Sequence, residues 1–167
     1  MPTTYEPIAT TTLGSAAASV SFTSISGSYT DLVLVCNTMR TTGLDNIGVR
    51  FNSDTGSNYS WTILKGNGSA ASSDRRSSVS DIIFNVYNND TSTPAVGILQ
   101  IQNYSNTTTY KTAISRSSGS AAGFVYATVG LWRSTSAITS ITLFDEGSAS
   151  AVINTGSTFT LYGIKAA

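Results

Sequence analysis

The chain has 167 residues, enough for one domain with a real hydrophobic core. Nine basic and nine acidic side chains cancel, only 11% of residues are charged against about 25% in a typical soluble domain, and nearly a third are Ser or Thr. This balance argues against nucleic acid, whose binders usually carry a basic stripe, gives no polybasic or amphipathic membrane signal, and with no histidine excludes histidine-based triads, imidazole zinc sites and histidine pH switches.

The chain begins "MPTTYEP". Pro2 and Pro7 disfavour helix and limit strand pairing, so residues 1–7 are predicted to form an extended arm that adds a strand to a neighbour's sheet edge. The same segment has neither the basic nor the apolar region of a secretory signal. Thr, Val, Ile, Tyr and Ser dominate the rest of the chain, which favours strands. Strands are predicted over 6–13, 19–24, 31–38, 47–51, 59–65 and 81–86. Five more are predicted over 95–102, 110–115, 124–132, 138–144 and 158–164.

Several of these runs predict which face is buried. "DLVLVC" is apolar on both faces, as for a strand covered on both sides, and it places the single cysteine, Cys36, as a buried small hydrophobe. "GNGSAASSDRRSS", residues 66–78, and "SRSSGSAAG", residues 115–123, are low in complexity and read as surface loops. In "FVYATVGLW", Val125, Ala127, Val129 and Leu131 share one face, expected to meet the core. Phe124, Tyr126, Thr128, Gly130 and Trp132 share the other, expected to meet a partner or neighbouring loops. "ITSITLF" breaks period two at Thr139–Ser140, and a bulge there restores Ile138, Ile141 and Leu143 to one face. No apolar run approaches the ~18 residues of a membrane helix. Short strands with turn signals about every 8–12 residues predict an all-β fold. Its form is a single-domain, jelly-roll-like antiparallel β-sandwich of about ten strands spanning residues 1–167.

"VRFNSDTGSNYS", residues 49–60, spaces Asn52, Asp54 and Asn58 around Gly56 as if to hold an ion. A calcium loop needs a closing carboxylate and flanking helices. Ile63 or Lys65 stands at the closing position, and the flanks read as strands. The stretch is therefore predicted to be a hairpin loop with Asp54 at its exposed tip, contacting a protein neighbour rather than a metal. The adjacent acids Asp145 and Glu146 point to opposite faces of a strand and do not converge. "DRR", residues 74–76, is the one basic cluster, in which Arg75 and Arg76 suit forked bonds to an acidic partner surface. Tyr59, Trp61, Tyr104 and Tyr110 either pack on neighbouring strands or stack on sugars. No catalytic, cofactor-binding or metal-ligating set is expected. The residues expected to touch partners are Pro2, Tyr5, Asp54, Arg75 and Arg76.

Four strings carry a family resemblance: "YEPIATTTLGSAAASVSFTSISGSYTDLVL", "VRFNSDTGSNYSWTILKGNGS", "GLWRSTSAITSITL" and "STFTLYGIKA". Together they resemble the small virion structural proteins of tailed bacteriophages, including those of cyanobacteria. The resemblance implies a non-enzymatic protein of the particle, without cofactor. It further implies a head decoration or cement protein on the outer surface of the phage head, bound as a homotrimer to the major capsid protein and to copies of itself. The alternative is a tail fibre or receptor-binding tip that recognises host surface glycan.

Overall fold

Buried and exposed residues alternate along most of the extended segments, as they must where one strand face meets a core and the other meets water. The computed structural model describes residues 4–39, 46–84, 94–118, 123–147 and 153–165. Among them there is no helix. Twelve strands run in the order β1 (Tyr5–Thr12), β2 (Ser19–Phe22), β3 (Asp31–Thr38), β4 (Ile47–Phe51), β5 (Tyr59–Gly66) and β6 (Ala71–Val79). Then come β7 (Ile82–Ile83), β8 (Ala95–Ile101), β9 (Lys111–Ser118), β10 (Val125–Trp132), β11 (Ile141–Asp145) and β12 (Thr158–Ile164). They form an eight-stranded sheet, β1-β12-β3-β8-β9-β10-β5-β6, and a four-stranded sheet, β2-β11-β4-β7. Every pairing is antiparallel. One hydrophobic core joins both sheets, with Leu34, Leu99, Ile101, Phe159 and Leu161 from the larger and Val49, Phe51, Ile141 and Leu143 from the smaller. The chain is an all-β antiparallel sandwich, with twelve strands where about ten were predicted.

The additional strands include β6, which lies where a surface loop was predicted over 66–78. Asn67 and Gly68 turn the chain: Asn67 Oδ1 accepts from the Ser69 and Ala70 amides at 3.0 and 2.8 Å, and Gly68 has φ +84°. Residues 71–79 then pair with β5 alone. Both faces of this edge strand are open to water, so selection for solubility left polar residues at nearly every position and no period of two. Residues 115–118, also predicted as loop, complete β9. Residues 5–7 of the predicted arm are extended, but they pair with this chain's own β12. The strand bulges between Pro7 and Ala9, at the edge where a proline costs no ladder bond.

The orientation of β10 is the reverse of the prediction. Tyr126, Thr128, Gly130 and Trp132 face the core, while Val125, Ala127 and Val129 face outward and Leu131 is half-buried. The reason lies in the opposite sheet. A Cβ on Gly130 would stand 2.5 Å from Ile82 Cγ2 and 2.6 Å from Ile82 Cδ1, so only glycine lets β7 lie this close to β10. On β3, Leu32, Leu34 and Cys36 are buried inward, as predicted. Burial pushes the Cys36 thiol far up, which leaves it inert. The outward face of β3 is covered in part: Val33 is buried and Val35 is half-buried.

The stretch 52–58 does not close a hairpin. β4 belongs to the small sheet and β5 to the large one, so the loop carries the chain across the sandwich. Asn52 and Ser53 hold positive φ of 53° and 55°, where Asn is among the best tolerated of non-glycine residues. Asn52 Oδ1 accepts from the Thr139 and Ser140 amides at 2.8 and 3.1 Å, and its Nδ2 donates to the Ala137 carbonyl at 2.7 Å. This clamp lies at the predicted period break. It brings Ile138, Ile141 and Leu143 into the core, with the break falling before β11 rather than inside it.

Asp54 is half-buried rather than an exposed tip. Its carboxylate accepts from Trp132 Nε1 at 2.7 Å, Asn58 Nδ2 at 2.9 Å and the Gly56 amide at 2.8 Å. Partial burial raises its pKa, but those three donors outweigh burial and leave it below its ordinary value. Replacing Asp54 by Ala leaves the Trp132 indole N–H without an acceptor. The variant is expected to lose about 1–3 kcal/mol in urea unfolding, with Asp54→Asn losing less. A loss under about 0.5 kcal/mol, typical of an exposed loop substitution, contradicts this role.

Candidate functional site

Four strands cannot cover eight, and the consequence is visible at the β5–β6 end of the large sheet. There β6 is exposed at every residue except Val79, although half of its side chains lie on the inner face. A groove of about 820 Å³ opens along that uncovered inner face. Trp61, Ile63 and Lys65 of β5 form its floor with Tyr126 of β10. Asp74 and Arg76 of β6 form one wall. Asn46, Ser80, Asp81 and Glu146, at the ends of the small sheet's strands, form the other. The groove thus mixes two cationic and three anionic side chains over an aromatic floor.

Asp81 and Glu146 meet at the small-sheet wall. Asp81 precedes β7, and Glu146 comes directly after β11. β7 and β11 both run antiparallel to β4, so the start of β7 and the end of β11 lie at opposite ends of the small sheet, and the Asp81 carboxyl reaches back over Gly48 toward that of Glu146. The Glu146 amide donates to the Asn46 carbonyl at 3.1 Å, and Asn46 Nδ2 donates to Glu146 Oε2 at 3.2 Å. Ser80 Oγ donates to Asp81 Oδ1 at 3.1 Å. Asp81 is only 7% exposed, and no donor reaches its Oδ2. Its neighbour is the Glu146 carboxyl, within hydrogen-bond reach but itself an acceptor when ionised. Glu146 sits at the exposed rim with its carboxyl turned into this crowded corner. Burial of that carboxyl, and then the Asp81 carboxyl beside it, push its pKa up to about 7.

The outer face of the large sheet is of opposite character. Leu64 (60% exposed), Val125 (61%) and Val129 (52%) stand out of β5 and β10, with Ile114 on β9 and Val96 on β8 also exposed. Pairing sets them in rows, Thr62–Val129–Ile114–Gln100 and Leu64–Ala127–Arg116–Ile98. Among the outward residues of these four strands Arg116 is the sole charge. Leu64, Val125, Val129 and Ile114 form a largely aliphatic cluster, and Arg116, Ser118 and Gln100 interleave between it and Val96 and Ile98 of β8.

The predicted contact residues do not assemble into one site. Pro2 lies outside the described residues. Tyr5 is exposed on β1 with its ring 6.3 Å from Tyr162, edge to face. Asp54 serves the inter-sheet loop. Arg75 and Arg76 are on a strand, so they point to opposite faces: Arg75 outward beside Thr62, Arg76 into the groove with Cζ 6.0 Å from the Trp61 ring. They cannot grip one carboxylate together. Of the aromatics considered for sugar stacking, Tyr59, Trp61 and Tyr104 are core residues and only Tyr110 is exposed. The prediction that Asp145 and Glu146 diverge holds, with Asp145 buried. The convergence of Glu146 with Asp81, 65 positions away in sequence, left no local signal.

The raised pKa of Glu146 has a definite sign. The folded state holds this proton more tightly than the unfolded chain, so the pair is least costly below pH about 4.5, the ordinary glutamate range. That advantage is lost as pH rises through about 7. In buffer free of divalent cations, Glu146→Gln is expected to flatten the fall in thermal midpoint between those limits, raising stability above pH 7 and changing it little below 4.5. An unchanged pH profile contradicts the pairing.

No family model and no curated protein matches the chain. Among solved structures, alginate lyase Aly36B superposes over 93% of this chain and 77% of its own, at 10% identity and TM-score 0.37. A double mutant of that lyase in complex with alginate tetrasaccharide covers 81% and 68%, at 10% identity and TM-score 0.36. A protein of unknown function, SO2946 from Shewanella oneidensis MR-1, covers 98% and 77%, at 10% identity and TM-score 0.23. Similarity this distant carries no argument about what the chain does.

Proposed function

We propose that the chain is a non-enzymatic structural protein of a tailed-phage particle, a head decoration or cement protein that binds the major capsid protein lattice and copies of itself as a homotrimer. The observation that carries the reading is the aliphatic outer face on β5, β10, β9 and β8. An exposed aliphatic cluster on an otherwise hydroxyl-rich surface marks a protein-binding surface. We assign it to the capsid contact. Zero net charge removes long-range repulsion between like subunits packed on a lattice. The acid pair in the groove adds no case for hydrolysis. Its carboxyls lie within hydrogen-bond reach of each other, whereas the pair of a glycosidase stands about 5–9.5 Å apart.

A second reading, a tail tip that recognises host glycan, is favoured by the groove and its mixture of Lys65, Asp74, Arg76 and Asn46. The two readings separate on purified virions. Cement is expected at a copy number comparable to the major capsid protein, and heads lacking it are expected to rebind the purified protein. Val129→Asp, placed in the centre of the apolar face, is expected to weaken rebinding about tenfold or more while leaving the fold intact. A few copies per particle sinks the cement reading. Saturable binding of isolated host polysaccharide, reduced by Lys65→Ala or Arg76→Ala, supports the tip instead.

A further inference from the structure

We propose that Asp81 and Glu146, with Asn46 beside them, form a binding site for a divalent cation of the calcium class at the small-sheet wall of the groove. This inference does not depend on the virion reading. It starts from an incomplete arrangement. Asp81 is more than nine-tenths buried and lines the groove, yet its Oδ2 meets no donor. The group closest to it in charge and chemistry is a second carboxyl, that of Glu146. Two carboxyls held together want positive charge between them.

The protein supplies little of that charge. No lysine or arginine nitrogen of the described residues comes within ion-pair distance of either carboxyl. Arg76 reaches Glu146 only through space, and its guanidinium lies over the Trp61 ring. Arg50 stands one hydroxyl away, donating to the Ser80 carbonyl and hydroxyl at 3.1 and 3.2 Å with Cζ 4.0 Å from the Phe144 ring, and makes no ion pair with Asp81.

The oxygen set is of the kind a hard cation takes. Asp81 and Glu146 supply anionic oxygens, Asn46 fixes the Glu146 carboxylate by donating from Nδ2, and Ser80 holds the remaining Asp81 oxygen in place. The groove leaves room for water on the open side. Calcium accepts such mixed, flexible shells of six to eight oxygens, whereas magnesium demands near-ideal octahedral geometry. Gly48 is part of the construction. A Cβ there would stand 3.0 Å from Asp81 Oδ2 and 2.7 Å from Phe144 Cζ. With two carboxylates and no third acid, the site belongs with weak calcium sites of Kd about 10⁻⁴–10⁻³ M.

The test uses the full chain at pH 7.5. Millimolar calcium is expected to raise the thermal midpoint above that in chelator. Terbium, which replaces calcium, is expected to luminesce when Trp61 on the groove floor is excited. Glu146→Gln, at the exposed rim, and Asp81→Asn are each expected to weaken both responses at least tenfold. Should Asp81→Asn fail to fold, Glu146→Gln alone decides. The proposal is overturned if calcium leaves the midpoint unchanged. It is also overturned if the response survives in Glu146→Gln, or if sodium and magnesium at matched ionic strength reproduce it in full.

Discussion

The number of strands in each sheet governs the rest of this structure. Eight strands lie against four, and a core can form only where both sheets are present. That overlap is tightened at one point, where Ile82 of β7 rests on the bare backbone of Gly130 in β10. Everything beyond the overlap is surface that a balanced sandwich would have hidden. The inner face of β5 and β6 becomes the floor of a groove. The outer face of the large sheet, which a third layer would cover in a larger fold, stays open with its valines, leucine and isoleucine in the solvent. Connections between the sheets then bear weight. The loop 52–58 is the clearest case, because Asn52 secures one end to residues 137–140 and Asp54 secures the other to Trp132.

The sequence made the strands legible wherever one face was buried. The predicted strands over 31–38, 47–51 and 158–164 coincide with β3, β4 and β12, because each is buried deep in a sheet and its apolar period is strong. It hid β6 for the converse reason, since an edge strand with no buried face has no hydrophobic period to read. It also misled at β10. Aliphatic residues there looked like core and aromatic residues like surface, but hydrophobicity alone does not separate two faces that are both apolar. Gly130 was the available signal: a glycine in mid-strand marks a close approach of another backbone or side chain.

The groove's chemistry was the least legible part. Asp81 opens one predicted strand and Glu146 lies two residues past the end of another, and neither has an acidic partner at a meaningful spacing. Their carboxyls come together only because side chains from opposite ends of β7 and β11 reach over the bare Gly48 of β4. The oxygen-rich stretch 52–58 carried the strongest local pattern for an ion and uses its oxygens internally, on backbone amides, a side-chain amide and an indole. The unsatisfied oxygen is instead on Asp81, in a segment with no motif at all. The groove and the apolar face lie on opposite sides of the large sheet, so a partner on one leaves the other accessible.

Both surfaces exist only because β10 turns its aromatic face inward and its aliphatic face outward, and that orientation is open to one direct measurement. Cys36 is buried and its thiol is held unreactive, so single cysteines can be introduced along β10 against a silent background. Thiol labelling is monitored on dilute protein. Ala127→Cys and Val129→Cys are expected to react rapidly, and Thr128→Cys to react only on unfolding. Rapid labelling at Thr128→Cys with protection at its two neighbours would contradict this orientation.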